Sequence, residues 1–308
     1  MLKQVMEMYE LLDRADANGG QVLSLLQQRG AKKTELIELR EGGGKSDFVR
    51  IVIEGKNGKS RGGTAPSMGI TGRLGGLGAR PALTGFVSDG DGALAALALA
   101  LKLCDMQAGG DTLEGDIVIT THICPDAPTT PHYPVPMMGC HIEMETINRL
   151  EVEHEVDAIL SCDTTKGNKI INCNGFAISP TVKQGYILRV SDDLLEIMIR
   201  VTGQMPKVFA LSQQDITPYG NGLYHLNSIL QPAVATSAPV VGVAITAEQP
   251  VAGCATGATR LHDVEAAAKF MLEVCKEFTE GKCQVYDAQE FDKIIEQYGT
   301  MTHFQLKK

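Results

Sequence analysis

The sequence has no tryptophan, and aromatic residues make up only 5% of its 308 positions. That scarcity argues against a carbohydrate- or base-stacking platform. It has no CxxC pair. Its eight cysteines, at 104, 124, 140, 162, 173, 254, 275 and 283, are scattered rather than arranged as a disulfide framework. In a long chain without a leader this pattern is that of a reduced, cytoplasmic protein. The longest apolar run, within 93–103, is too short to span a bilayer and lacks a basic flank and cleavage site, so neither membrane segment nor signal peptide is expected. The net charge is −9 and no basic stripe is present, which excludes nucleic acid as a partner. Repeats and low-complexity linkers are missing too. With 44% apolar and 21% charged residues, the expectation is one globular domain over 1–308.

What is present centres on residues 85–126. A short apolar stretch, 85–87, precedes Ser88-Asp89-Gly90-Asp91-Gly92. A helix over about 93–106 follows, with almost no polar face, and must be buried. An Ile/Val/Thr-rich strand, 116–123, comes next. Strand, buried helix and strand predict a βαβ unit with parallel strands. Ligands bind at the carboxyl ends of such strands. Asp89 stands at the first end and His122, Cys124 and Asp126 at the second.

Elsewhere the patterns predict two helices within 1–30, strands at 35–39, 48–54, 157–162, 208–211 and 239–246, and an edge strand at 168–172. Helices are expected at 191–201, 221–229 (carrying His225) and 263–278, and residues 141–155 read as a solvated acidic helix. Residues 61–81 form a glycine-rich loop whose spacing is not a dinucleotide fingerprint. It reads as a tight loop or, with Arg73 and Arg80, an anion nest. Residues 124–140 hold five prolines and would wall a site with rigid turns. The architecture expected is a three-layer α/β/α fold around a mixed, mostly parallel sheet, with both loops near the site.

These landmarks resemble the zinc exopeptidases of the glutamyl-aminopeptidase-like branch. SDGDG is similar to that family's Asp-rich turn, whose first Asp bridges two metals and maps to Asp89. Its strand ending in Glu-Glu is similar to GDIVITTHICPD, where the pair falls on Pro125 and Asp126. A later ligand carboxylate maps to Asp163 in DAILSCDTTKGN, and a Gly-Gly-Thr-Asp loop to residues 213–217, with Asp215. The chain also departs from that pattern. Residues 48–85 contain no histidine for the first ligand, Pro125 stands at the general base, the last histidine falls on Gly253 or Cys254, and no lid is inserted. At whole-chain level the sequence resembles domain-of-unknown-function family 1177 through GRLGGLGARP, SDGDGA, THICPDAPTTPHYPVP, DTTKGN, AISPTVK, QDITPYGNG and GCATGA.

The resemblance implies a metal-dependent hydrolase of an amide bond in a small amino-acid-derived compound or peptide. Asp89, His122, Asp126 and Asp163 form an N/O ligand set for a divalent ion, zinc first, and Asp126 is the first candidate for the base. Arg73, Arg80, His132 and Asp215 are the candidate substrate contacts, and a homo-oligomer is expected. Each residue has a plainer reading: Asp89 and Asp91 as helix caps, Asp163 and Asp215 as turn formers, His122 as a satisfied core histidine, His141 as surface. A second function class is a metal-free cysteine enzyme using Cys124 and Cys254. A third is a non-catalytic small-molecule binder on the same fold.

Overall fold

The computed structural model describes residues 1–73, 85–133, 135–254 and 258–306. Helices α1 (Leu2–Leu12) and α2 (Gly19–Gln28) lead into a hairpin of β1 (Lys33–Glu41) and β2 (Gly44–Ile53). Then come β3 (Met68–Gly72), α3 (Asp91–Ala108), β4 (Ile117–Ile123), a small pair β5 (Thr129–Thr130) and β6 (Met137–Met138), and α4 (Met144–Glu151). β7 (Ala158–Thr165), β8 (Gly175–Ile178), β9 (Val182–Lys183), β10 (Tyr186–Ile187) and α5 (Asp192–Thr202) follow. The chain closes with β11 (Val240–Thr246), α6 (Leu261–Thr279) and α7 (Ala288–Tyr298).

The main sheet runs β1-β2-β4-β3-β7-β11-β9-β10, with β8 also on β11. Its centre, β4-β3-β7-β11, is parallel, and its two margins are antiparallel. All four central strands therefore end on one rim. One face packs on α1, α2, α3, α5 and α6 through Ile70, Ile119, Leu160, Val243 and their neighbours. α3 is apolar all round because it lies between this face and other helices: Leu94, Leu97 and Leu101 are fully buried. The second face is covered by α4 and by the irregular segment 207–235, around Ile159, Ile229, Val240 and Ala244. This is an α/β fold with a mixed sheet flanked by helices. Among the described residues, no helix is long and apolar enough to cross a membrane.

Several expectations are corrected. The strand before the buried helix is β3, inside the glycine-rich stretch, not 85–87, where Phe86 makes only an isolated bridge. Glycine is what permits β3: a Cβ at Gly72 would lie 2.7 Å from Ala93 Cα, so helix α3 docks directly on the strand. Residues 221–229 form no helix, and His225 sits on an irregular loop with Nε2 3.0 Å from the Thr217 carbonyl. The 168–172 strand does not form, and 208–211 contributes one bridge, Val208 to Ile178. α7 carries no counterpart in the sequence reading.

Candidate functional site at the carboxyl rim

Period-two alternation sorts the rim. On β3, β4 and β7 one face enters the apolar core. The other carries Thr71 and Arg73, Thr120 and His122, Ser161 and Asp163, all buried. A strand covered on both sides normally reads as continuous apolar sequence; this polar row is the departure, and it lies where the strands end.

Arg73 is 1% exposed. Its guanidinium donates to Glu151 and to Asn148 Oδ1 (3.2 Å) and meets Met144 Sδ, all on α4. It is thus consumed by α4 and not offered to a substrate carboxylate, which corrects that expectation. Arg80 lies outside the described residues. Burial pushes the Glu151 carboxyl up while Arg73 pulls it back. His122 is buried, and burial, reinforced by the Arg73 charge, lowers it to about 4, so it is neutral at pH 7. Its Nδ1 has no hydrogen-bond partner among the described residues.

Asp89 lies on a 3-10 turn, Ser88–Gly90, that leads into α3. Its N–H donates to the Gly253 carbonyl (2.9 Å) and its Oδ2 accepts from the Met138 N–H (3.0 Å). Burial, then the nearby Asp163 and Asp91 charges, raise it to about 7 against the hydrogen bond from Met138. Asp91 is fully buried and paired with Lys166 Nζ at 2.8 Å. Asp163 is fully buried; Oδ1 accepts from the Thr164 N–H and Oδ2 from Ser228 Oγ, each at 2.7 Å. Burial raises its pKa against Arg73. Asp89 and Asp163 share one rim: the hydroxyl of Thr164, next to Asp163, donates to the carbonyl of Ser88, next to Asp89 (2.8 Å).

Among the described residues, however, Asp89, His122, Asp126 and Asp163 do not converge as one ligand set; the group that does is Cys124, Asp126 and His141. Their ligand atoms all lie within 4.8 Å of one another. Cys124 Sγ is 3.7 Å from Asp126 Oδ1, and His141 Nε2 is 3.1 Å from the Asp126 carbonyl. The cause is the proline-rich stretch. β5 pairs with β6 in the register Thr129↔Met138 and Thr130↔Met137. Continued three residues outwards, that register sets His141 opposite Asp126. His141 then packs over Gly44, where a Cβ would fall 2.2 Å from the imidazole ring. The sequence reading placed His141 on the surface; a hairpin within 124–141 was the signal that would have recovered it.

Cys124 is buried, and that burial, chiefly, raises its thiol to about 12. It shares a small apolar cluster with Val87, Ala127, Met138 and Cys254. His132 is exposed on the proline-rich loop. Asp215 is fully buried and structural: Oδ2 accepts from the Ser212 N–H and hydroxyl, Oδ1 from the N–H groups of Leu226 and Asn227. It holds the 212–227 segment together and is unavailable to a substrate.

The fold is similar to solved enzymes. The bottromycin maturation enzyme BotP matches with a TM-score of 0.53 at 13% identity, over 91% of this chain and 70% of that one. It has also been solved in complex with Mn. The cytosol aminopeptidase from Coxiella burnetii matches with 0.51 at 13% identity, over 90% and 68%. The glutaminyl cyclase of an Acidobacteriales bacterium matches with 0.51 at 12% identity, over 91% and 94%. At these identities the likeness is one of fold. No curated protein matches the sequence. A family model described as "Protein of unknown function (DUF1177)" matches residues 37–308, and the chain belongs to that family.

Proposed function

We propose that the protein is a metal-dependent hydrolase of an amide bond in a small amino-acid-derived compound or peptide, with a divalent ion, zinc first, held by Cys124, Asp126 and His141. The carrying observation is the convergence of thiol, carboxylate and imidazole within 4.8 Å at the carboxyl rim. Sulfur, nitrogen and oxygen together suit zinc, and three protein ligands leave a position open. A solved neighbour of the same fold holds Mn.

Three other groups of the rim are already engaged and suit an ion less well. Asp163 has both oxygens taken by donors, Asp91 faces an ammonium, and His122 lies beside a guanidinium. At the fitted site, a bound ion supplies a water of lowered pKa and polarises a carbonyl. The chain's own groups do the rest. Cys124 without an ion is a thiol at pH 7, so it acts as a ligand and not as a free nucleophile, which counts against the cysteine-enzyme reading. Asp126, its side chain exposed to solvent, is the carboxylate suited to take a proton from water and return it to a leaving amine.

The test is metal content together with hydrolysis of a panel of dipeptides and N-acyl amino acids. One zinc per chain is expected, lost in Cys124→Ser and His141→Ala together with activity. A metal-free protein after refolding with zinc, or hydrolysis that survives chelation, would remove this reading.

A further inference from the structure

The acidic rim raises a question the ion at Cys124 does not answer: what neutralises Asp89, Asp91 and Asp163. We infer that the ammonium of Lys166 is the resident cation of this rim, standing where a divalent ion would otherwise be needed to balance its carboxylates.

Lys166 follows β7 directly, and its side chain is 2% exposed. Its Nζ lies 2.8 Å from Asp91 Oδ2, whose side chain is fully buried. The backbone holds it there. The Lys166 carbonyl accepts the Val251 N–H (2.8 Å), and Gly167, at φ +73°, has its open side 2.2 Å from the Gln249 carbonyl. A side chain at Gly167 would be strained and crowded, so the backbone beside Lys166 is fixed, and the ammonium is held by burial and by Asp91. Leaving either buried charge alone would be strongly unfavourable.

The same segment closes Asp89 against an ion. Gly253 stands at one of the two positions where the exopeptidase pattern has its last histidine. A Cβ there would fall 1.8 Å from Asp89 Oδ1, while Oδ2 already accepts from Met138. A ligand side chain has been replaced by backbone pressed on the carboxylate. Asp163 has its two donors and the Arg73 charge. Each carboxylate of the rim thus has a protein group set against it: the Lys166 ammonium at Asp91, the Met138 N–H at Asp89, and Thr164 and Ser228 at Asp163.

The inference is independent of the hydrolase reading and is tested with that site removed. In a full-length Cys124→Ser/His141→Ala chain, Mn2+ is titrated by equilibrium dialysis. No uptake is expected. In the same background Lys166→Ala should take up an equivalent of Mn2+, abolished by adding Asp91→Asn, and Mn2+ should raise its melting temperature. Lys166→Arg, which keeps the charge, should refuse the ion. Where Lys166→Ala does not fold, Lys166→Gln is read in its place. Uptake by the parent that Asp89→Asn removes would overturn the inference, as would a folded Lys166 variant indifferent to Mn2+.

Discussion

Arg73 and Glu151 form a buried ion pair, so removing one leaves the other's charge buried without its nearest counter-ion. Arg73→Met should destabilise the protein by about 3–5 kcal/mol in denaturant unfolding. Arg73→Met/Glu151→Leu should cost clearly less, because both charges go. Equal losses would mean that Arg73 acts by packing alone. Asp89 gives a pH dependence with a defined sign. Its pKa is about 7 in the fold against 3.8 ordinarily, so the folded state binds the proton more tightly. Its contribution to stability is full below the lower value and is lost as pH rises towards the upper one. With chelator present, Asp89→Asn should therefore gain on the wild type between pH 4 and pH 7 and hold level above. A constant difference would show that Asp89 stays ionised throughout. Asp163 was legible at this scale as a strand-end carboxylate, and Asp89 as a residue at the entry to the buried helix, although the strand expected before it does not form. Arg73 was not legible as an internal counter-ion, because its partner Glu151 comes from a helix 78 positions away.

Elements decide which of these residues meet. The β1–β2 turn brings Gly44 under the His141 ring, with no space for a Cβ. Gly44→Ala should push a mobile side chain aside and leave the sheet intact. The expected outcome is unchanged melting of the metal-free protein and zinc affinity weakened on the order of 10-fold or more, read by competition with a chromogenic chelator. Unchanged zinc affinity would take His141 out of the ligand set. Gly92 reports on how α3 meets the rim: a Cβ there would fall 2.4 Å from the Cys162 carbonyl. Backbone cannot yield as a side chain does, so Gly92→Ala should cost about 1–3 kcal/mol. Periodicity made α3, β4, β7, β11 and α6 readable, since each is long and strongly apolar on at least one face. β3 escaped because its two glycines mask alternation, and they are there for close backbone approach. The 221–229 stretch misled because its order comes from Asp215 and Thr217, through side-chain bonds to Leu226, Asn227, Asn221 and His225 that no helical period encodes.

At the scale of the molecule, the parallel centre gathers four strand ends on one rim, and that much followed from the order of elements. Of the proposed metal ligands, Asp126 and Cys124 stood among the residues singled out in the sequence, but His141 did not, because a hairpin of two-residue strands, not the sheet, brings it to them. The rim then holds two unlike halves, a donor set open to an ion and a carboxylate set already neutralised from within. Ligand binding to the folded state alone raises stability by mass action. Zinc should accordingly raise the melting temperature of the wild type and leave that of Cys124→Ser/His141→Ala unchanged. The most direct measurement is X-ray absorption at the zinc edge on the loaded protein. One sulfur scatterer with nitrogen and oxygen neighbours, the sulfur lost in Cys124→Ser, is the outcome expected. A zinc shell of oxygen and nitrogen only, unaltered by Cys124→Ser and abolished by Asp89→Asn, would contradict it.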